Sequence, residues 1–413
     1  MNKINILFAL LLIFQLTSNI ICDDLLNILN NTLCRLLGIC LQNLIKFLEN
    51  ILNGFPELIG IITAKELGET ILLINDKLGI KITEQLLKTL LGEIININKL
   101  NEGRWIATLS YYYLLPDEYQ KRLCGVIRPN NNNEEENNNN KINKREILLL
   151  KNINKRQIKQ QQCTYKTEFD VRDNWPECNN FFNNVVNQGQ CGSCWAISTA
   201  AAFTECRCIE RLKNGENTEF NAENTFSALD VLSCSRSLGC KGGWPHEAFQ
   251  WMKNNGICTG TDKTKGNGCK PYPFEPYKIV YTPTCSSSCT SGEYGKSYKD
   301  DKHYVGETDK LNGEEAIIEQ LKSTGPVTVC FDVYSDFNGY KTGVYFKTAG
   351  AVKKGAHAVV IVGYGTQDCE GKEMKYWIIR NSWGKNWGEE GFVKFRRGEN
   401  ECRIEENGAY AIP

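Results

Sequence analysis

A cysteine, a histidine and an asparagine in three separate stretches carry the residue types that nucleophilic catalysis needs. Cys194 ends the motif Gln-Gly-Gln-Cys-Gly-Ser-Cys, which begins at Gln188 and is followed by alanine-rich sequence that favours a helix. A cysteine at a helix N-terminus meets the positive end of the helix dipole, which favours the thiolate over the thiol. The stretch therefore predicts a cysteine nucleophile at the start of a helix.

A proton carrier for this thiolate must come from only three histidines. His357 precedes the apolar run Ala-Val-Val-Ile-Val, which is typical of a buried strand. An imidazolium next to a thiolate stabilises both charges and can donate its proton to a leaving amine. Asn381 offers a side-chain amide oxygen that could hold the ring, and Trp383, two residues on, could shield that hydrogen bond from water.

Each stretch also has an interpretation without catalysis. Cys191 and Cys194 form a C-x-x-C pair, but the βαβ pattern of a thioredoxin-type redox protein is missing around them. A single histidine is more often a core residue, and a single asparagine is more often a turn residue. Because all three types occur with suitable flanks, the sequence favours catalysis. A redox protein that uses Cys191 and Cys194 stays open as an alternative.

Composition and the N-terminus indicate where the chain is made. It has 413 residues, 48 basic and 48 acidic side chains, and 19 cysteines. Zero net charge argues against a nucleic-acid surface, and the cysteine content indicates an oxidising compartment. Residues 1–22 read as a secretory signal peptide and not as a transmembrane anchor, because their apolar core is shorter than the ~20 residues that span a bilayer. We expect a lysosome-like or extracellular destination.

Four further regions differ in composition. Residues 23–93 have apolar positions every three or four residues, which predicts a helical extension, and residues 94–129 are mixed and aromatic. Residues 130–162 are rich in asparagine and carry Lys-Arg pairs, which predicts a disordered linker open to processing proteases. Residues 163–413 hold 15 of the 19 cysteines, with an early helix and later β-like runs, which predicts an α+β fold with two subdomains.

These motifs resemble the papain family of cysteine peptidases, and within it the cathepsin B type, over residues 94–129 and 163–413. Further matching segments are residues 98–101, 121–125, 172–178, 240–245, 301–304 and 333–337. The resemblance implies a papain-like fold in which a cleft separates a helical subdomain from a β-barrel-like one, preceded by a helical pro-region with a cathepsin B-type propeptide at residues 94–129. It also implies peptide and protein substrates, inhibition by the chain's own propeptide and by cystatin-type inhibitors, and no cofactor or metal.

The resemblance also assigns roles residue by residue. Cys194 would be the nucleophile, His357 the general acid and base, and Asn381 the residue that orients His357. Gln188, with the Cys194 backbone N–H, would stabilise the oxyanion. The implied substrate-binding residues are Gly242, Gly243, Trp383, Trp387 and Asn407. The implied disulfides are Cys178–Cys208, Cys191–Cys240, Cys234–Cys285 and Cys269–Cys289, which leaves Cys163, Cys206, Cys258, Cys330, Cys369 and Cys402 unassigned.

The chain departs from cathepsin B in ways that bear on activity. Between Cys269 and Cys285 it has no histidine, whereas cathepsin B carries two adjacent histidines there that hold a substrate C-terminal carboxylate. We therefore expect an endopeptidase, with a dipeptidyl carboxypeptidase as the alternative. Asn407 stands where cathepsin B has a glutamate, with Glu406 next to it, which predicts apolar residues in the second subsite. A catalytically silent, peptide-binding relative is a further alternative, although every catalytic residue type is present.

Overall fold

The computed structural model describes residues 39–127, 162–235, 237–262, 268–292 and 294–413. The predicted signal peptide, the start of the predicted extension and all but the last residue of the predicted linker lie outside the described residues. Within the described part, no helix has the length and apolar character to cross a membrane. The chain divides into two compact units, residues 1–81 and 82–413.

Two helices form the described part of the first unit. They are α1 (Ile39–Leu52) and α2 (Ala64–Leu78), with a 3₁₀ turn at Pro56–Leu58 between them. Leu48 of α1 and Ile74 of α2 are fully buried, and Gly68 of α2 faces the side chain of Leu48. The apolar spacing of this region therefore corresponds to the face along which the two helices pack.

The second unit begins at Ile82 and includes the predicted propeptide, whose described residues 94–127 are called the pro segment below. Its elements are α3 (Glu84–Leu100), β1 (Trp105–Ala107), α4 (Tyr111–Leu114) and α5 (Asp117–Arg122). Helix α3 runs through the boundary predicted at residue 93, because Leu87, Leu91 and Ile94 form one continuous buried face. The break between units instead falls after Lys81.

Most helices in the rest of the chain precede most of its strands, as the α+β prediction expects, although β2 comes before all of them and α11 lies between β3 and β4. The helices are α6 (Val171–Asn174), α7 (Asn179–Phe182), α8 (Cys194–Lys213), α9 (Ala228–Cys234), α10 (Pro245–Asn255) and α11 (Glu314–Ser323). Short 3₁₀ helices lie at Pro176–Cys178, Ala222–Asn224, Gly239–Lys241, Phe337–Gly339 and Glu401–Arg403. The strands are β2 (Cys163–Asp170), β3 (Glu307–Leu311), β4 (Val327–Tyr334), β5 (Tyr340–Tyr345), β6 (Lys353–Cys369), β7 (Lys372–Arg380), β8 (Phe392–Arg396) and β9 (Gly408–Ile412).

One sheet brings the predicted catalytic stretches together. Its strand order is β1-β5-β8-β7-β6-β4-β9-β3, and β2 pairs with β6. Helix α8 packs on β6, and the small side chains of Ala196 and Ala200 are buried in the same core as Ala358. Small residues let the helix approach the strand closely. The N-terminus of α8 therefore lies beside the middle of β6.

Five disulfides cross-link this domain. Four are the pairings that the resemblance implies, Cys178–Cys208, Cys191–Cys240, Cys234–Cys285 and Cys269–Cys289. The fifth joins Cys163 to Cys369, two cysteines that the resemblance leaves unassigned. Because Cys191 pairs with Cys240, it is not available for a redox pair with Cys194.

Candidate active site

The four predicted catalytic residues meet where α8 faces the sheet. Cys194 is the first residue of α8, and Gln188 lies in the loop before it. His357 stands in β6 opposite Phe331 of β4, and Asn381 directly follows the end of β7. All four side chains are buried, with at most 3% exposure. Two elements of rigid secondary structure and two short connections thus hold the site.

The imidazole of His357 is fixed through one nitrogen. Its Nε2 lies 2.7 Å from Asn381 Oδ1, and that oxygen also accepts the backbone N–H of Ser382 at 2.7 Å. Because Oδ1 is an acceptor, Nε2 must be the donor, which leaves Nδ1 as the basic nitrogen of the neutral ring. Nδ1 is buried, and hydrogen bonding of the ring to the backbone of Leu123 acts to raise the pKa of His357. Nδ1 is the atom available for proton transfer.

A set of hydrogen bonds orients the amide of Gln188. Its Oε1 accepts from the Ser382 hydroxyl at 2.7 Å, so Nε2 points into the cleft, where it donates to the Leu123 carbonyl at 3.1 Å and to the Cys191 carbonyl at 2.7 Å. The backbone carbonyl of Gln188 accepts from Tyr272 at 2.9 Å. Neither Ser382 nor Tyr272 has a role predicted from the sequence. The only sequence feature that indicates a role for Ser382 is its position next to Asn381. No sequence feature indicates a role for Tyr272.

The pro segment fills the cleft as an extended chain. Gly243 N–H donates to the Gly125 carbonyl at 2.9 Å, and Ile127 N–H donates to the Gly243 carbonyl at 3.1 Å, so that Val126 pairs in parallel with Gly243. A Cβ at Gly242 would lie 2.8 Å from the side chain of Ile127. The predicted glycine pair therefore contacts a bound backbone directly, as glycines without side chains allow.

Burial under the pro segment makes both reactive groups neutral. It raises the pKa of the Cys194 thiol to about 11, although backbone N–H groups, including that of Gly125, act in the opposite direction. It lowers the pKa of His357 to about 4, although Asn381 and the backbone of Leu123 act in the opposite direction. In this form desolvation outweighs the helix dipole and favours the neutral thiol, and the thiolate stays a prediction for the enzyme without the pro segment.

Two predicted tryptophans line the other side of the site. Trp383 stacks on Tyr112 of the pro segment with ring centroids 5.1 Å apart, and it lies 5.0 Å from the ring of His357. Trp387 lies 5.2 Å from Trp383, is fully buried, and donates to the Asn338 carbonyl at 3.2 Å. Trp383 therefore covers the imidazole that bonds Asn381, and Trp387 packs behind Trp383.

Asn407 lies at the edge of a buried cluster that receives Val126. The cluster includes Trp244, Cys330 and Ala358, and Val126 packs against it. The Asn407 carbonyl accepts from Cys330 N–H at 3.2 Å. Glu406, the alternative at this position, is exposed and pairs with Arg403 at 2.9 Å. The backbone of Asn407 thus lies beside β4, and the carboxylate of Glu406 is exposed.

One group of metal-ligand types lies elsewhere in the described residues. The ligand atoms of Cys258, Cys269 and Asp301 are within 4.8 Å of one another. Because Cys269 is disulfide-bonded to Cys289, it cannot supply the thiolate that a metal site would need.

Comparison with known proteins matches this architecture. A family described as papain family cysteine protease matches residues 165–412. The chain is 37% identical over 255 residues to a cathepsin B-like cysteine proteinase of Schistosoma japonicum, covering 58% of this chain and 70% of that protein. It is 40% identical over 246 residues to a gut-specific cysteine proteinase of Caenorhabditis elegans, covering 57% of this chain and 70% of that protein.

Solved precursor structures have the same fold. Procathepsin B S9 from Trypanosoma congolense matches with a TM-score of 0.58 and 27% identity, over 80% of this chain and 98% of that one. Digestive procathepsin L2 from Tenebrio molitor matches with a TM-score of 0.52 and 23% identity, over 84% of this chain and all of that one. The second likeness concerns the fold alone.

Proposed function

The chain belongs to the papain family of cysteine proteases, and from this premise we propose that it is an endopeptidase made as a latent precursor. The observation that carries the proposal is the Leu123 carbonyl oxygen, which accepts a hydrogen bond from Gln188 Nε2 beside Cys194. A substrate carbonyl at the same position would have a nucleophile, an oxyanion donor and a base within reach.

The proposed reaction proceeds through an acyl-enzyme. Cys194 first gives its thiol proton to His357 Nδ1, its Sγ then attacks the substrate carbonyl carbon, and the resulting oxyanion is stabilised by Gln188 Nε2 and the Cys194 backbone N–H. His357 Nδ1 then gives its proton to the leaving amine, and a thioester remains on Cys194. His357 next takes a proton from water, which attacks the thioester and releases the second product. Asn381 keeps the ring aligned in both steps.

We propose that the pro segment keeps the precursor latent because it runs backwards through the cleft. In a productive substrate, the residue that pairs with Gly243 precedes the residue whose carbonyl reacts. In the pro segment, Val126 pairs with Gly243 and follows Leu123 along the chain. The peptide bond near Cys194 is therefore presented in the reverse direction, which supports its resistance to cleavage.

Acid should weaken this inhibition through His357. Burial holds the pKa of His357 at about 4 in the latent form, against 6.5 for an accessible histidine. Between these values the released enzyme binds one proton that the latent form does not. The latent form is therefore fully stable above pH 6.5, and the binding of the pro segment weakens by up to about tenfold for each pH unit below it.

The measurement uses the Cys194→Ala chain, cut in the linker by an added protease, with the retained pro segment quantified by size exclusion between pH 7 and 4. We expect dissociation to increase as the pH falls. The same chain with His357→Ala should lose most of this slope. An unchanged slope would assign the pH dependence to other groups.

The ion pair between Asp117 of the pro segment and Lys354 of β6 should contribute little to this transition. Asp117 Oδ1 lies 2.5 Å from Lys354 Nζ. Hydrogen bonds from Lys121 and Lys354 hold the pKa of Asp117 below its ordinary value of 3.8. Its carboxylate stays charged as the pH falls to about 4, so this contact is lost only in stronger acid.

We propose internal cleavage because nothing in the sequence between Cys269 and Cys285 supplies a histidine pair for a substrate carboxylate. The test compares two peptides of identical sequence, one with a free C-terminus and one with an amide. We expect kcat/KM values within about threefold of each other and internal cuts in both. A site that captured the carboxylate would favour the free acid by at least about tenfold, since hydrogen bonds to charged groups contribute about 1.5–3 kcal/mol.

Successive release of C-terminal dipeptides from the free acid alone would contradict the proposal and indicate a dipeptidyl carboxypeptidase. No cleavage of either peptide by fully processed protein would indicate a peptide-binding protein without catalysis. The second subsite should accept apolar residues, as the packing of the partly buried Val126 against the apolar cluster supports. We further propose that the enzyme acts in the secretory pathway, in a lysosome-like compartment or outside the cell.

A further inference from the structure

The outer edge of β5 is covered by a strand of the pro segment. Strand β1 runs antiparallel to it, with Trp105 opposite Gly343 and Ala107 opposite Tyr340. Val344 N–H donates to the Arg104 carbonyl at 3.3 Å, and Thr108 N–H donates to the Gly339 carbonyl at 2.7 Å. The pro segment thus extends the sheet of the catalytic domain by one strand.

The centre of this contact is a tryptophan in an aromatic pocket. The ring of Trp105 lies 5.1 Å from that of Tyr345 and 6.2 Å from that of Tyr340, and Trp105 has no exposed surface. A Cβ on Gly343 would lie 2.4 Å from the Arg104 carbonyl, so only glycine allows the bound backbone this close. Strand, pocket and glycine together form a site for a segment of defined chemistry.

Removal of the pro segment would uncover both parts of this site. Val344 N–H and the Gly339 carbonyl would lose their partners, and the pocket between Tyr340 and Tyr345 would open. An edge strand with unpaired backbone groups and an adjacent side-chain pocket is the arrangement that binds extended peptides by strand addition. The catalytic domain itself supplies every residue of the site.

The direction of the pro segment relates this site to the cleft. Its chain passes from β1 at the β5 edge to Leu123 beside Cys194 and on to Val126 beside Gly243. A productive substrate runs in the opposite direction, so its residues beyond the cut lead towards the β5 edge.

We propose that the mature enzyme uses the β5 edge as a docking site for protein substrates that carry an extended, tryptophan-containing segment C-terminal to the cut. The inference rests on the proposed endopeptidase function, because it concerns how the same enzyme selects substrates. A buried tryptophan at the centre of an interface is a common energetic hot spot. Docking raises the local concentration of the cleavable sequence without changing the chemistry in the cleft.

The test uses the processed enzyme and three substrates with one cleavable sequence. The first has a flexible linker of about 15 residues and then the segment Gly-Arg-Trp-Ile-Ala-Thr of residues 103–108 on its C-terminal side. The second is identical except for a change equivalent to Trp105→Ala. The third carries the tryptophan segment on the N-terminal side. We expect the first substrate to have a KM at least about tenfold lower than that of the second, with kcat values within twofold of each other. The KM of the third substrate should decrease less than that of the first.

Equal KM values for the first two substrates, both cleaved at normal kcat, would overturn the docking site and leave the endopeptidase intact. Absence of cleavage of all three would instead contradict the endopeptidase function. An equal decrease of KM with the tryptophan segment at either end would overturn the claim that the docking segment lies C-terminal to the cut. As a second measurement, fluorescence anisotropy with Cys194 alkylated should show the labelled segment binding at least about tenfold more tightly than its alanine form. Equal binding of the two forms would also overturn the proposal.

Discussion

Replacing Cys194 with alanine is expected to lower kcat/KM on a peptide substrate by at least about 10⁴-fold, because the thioester cannot form without the sulfur. Binding should persist, since Gly243 and Gln188 contact the bound chain through groups that the substitution leaves in place. The variant must be processed by an added protease, because it cannot cut itself. Steady-state kinetics on the processed protein checks the loss.

Cys206→Ala is the matched control. Cys206 lies on the same helix as Cys194, is equally buried at 2% exposure, and forms no disulfide. Its replacement should leave kcat/KM within about threefold, because it removes one buried sulfur and no reacting group. If Cys194→Ala retained activity comparable to this control, the assigned nucleophile would be wrong. Similar melting temperatures for the two variants would exclude unfolding as the cause of a loss.

Gly125→Val in the pro segment is expected to abolish much of the latency. A Cβ at this position would lie 2.0 Å from the backbone carbonyl oxygen of Gly192, which cannot move aside as a flexible side chain can. The chain would have to lift away from the cleft and lose the hydrogen bond from Gly243 N–H. Overpacking typically costs about 1–3 kcal/mol, so inhibition should weaken about 5- to 150-fold.

The measurement is the hydrolysis of a short fluorogenic peptide by freshly purified, uncut chain, with its intact mass verified before and after the assay. Gly92→Ala on α3 is the control, because no atom lies within 4 Å of its added Cβ and alanine favours a helix. We expect the control to hydrolyse the peptide no faster than the unmodified chain does. An uncut Gly125→Val chain without peptidase activity would show that Leu123 and the contacts upstream of it suffice for inhibition.

The residue types of the site could be predicted from sequence because the signals are local. The alanines after Cys194 favour a helix that begins there, and α8 does begin at Cys194. The apolar run after His357 predicts a buried strand, and β6 continues through it. Short-range patterns of this kind report backbone preference directly. The α+β class follows from the order of such elements along the chain.

Features that depend on contacts distant in sequence could not be predicted. The neutral state of Cys194 and His357 arises from burial under Leu123 and its neighbours, about 70 residues before Cys194 and about 230 before His357, and no local motif encodes it. The hydroxyl of Ser382 acquires its role only when the loop of Gln188 folds against it. The boundary predicted at residue 93 falls inside helix α3. The two halves of this helix differ in composition, which the sequence shows, but they share one buried face, which it does not.

The disulfide between Cys163 and Cys369 bears on how carefully the precursor must be cut. It joins the first residue of β2 to the end of β6, across a separation of 206 residues. A loop of that length removes about 5 kcal/mol of unfolded-chain entropy in the simplest model. Any cut upstream of Cys163 leaves this disulfide intact, so proteolysis at different residues yields the same cross-linked domain. Maturation as proposed would therefore not depend on a single defined cleavage position.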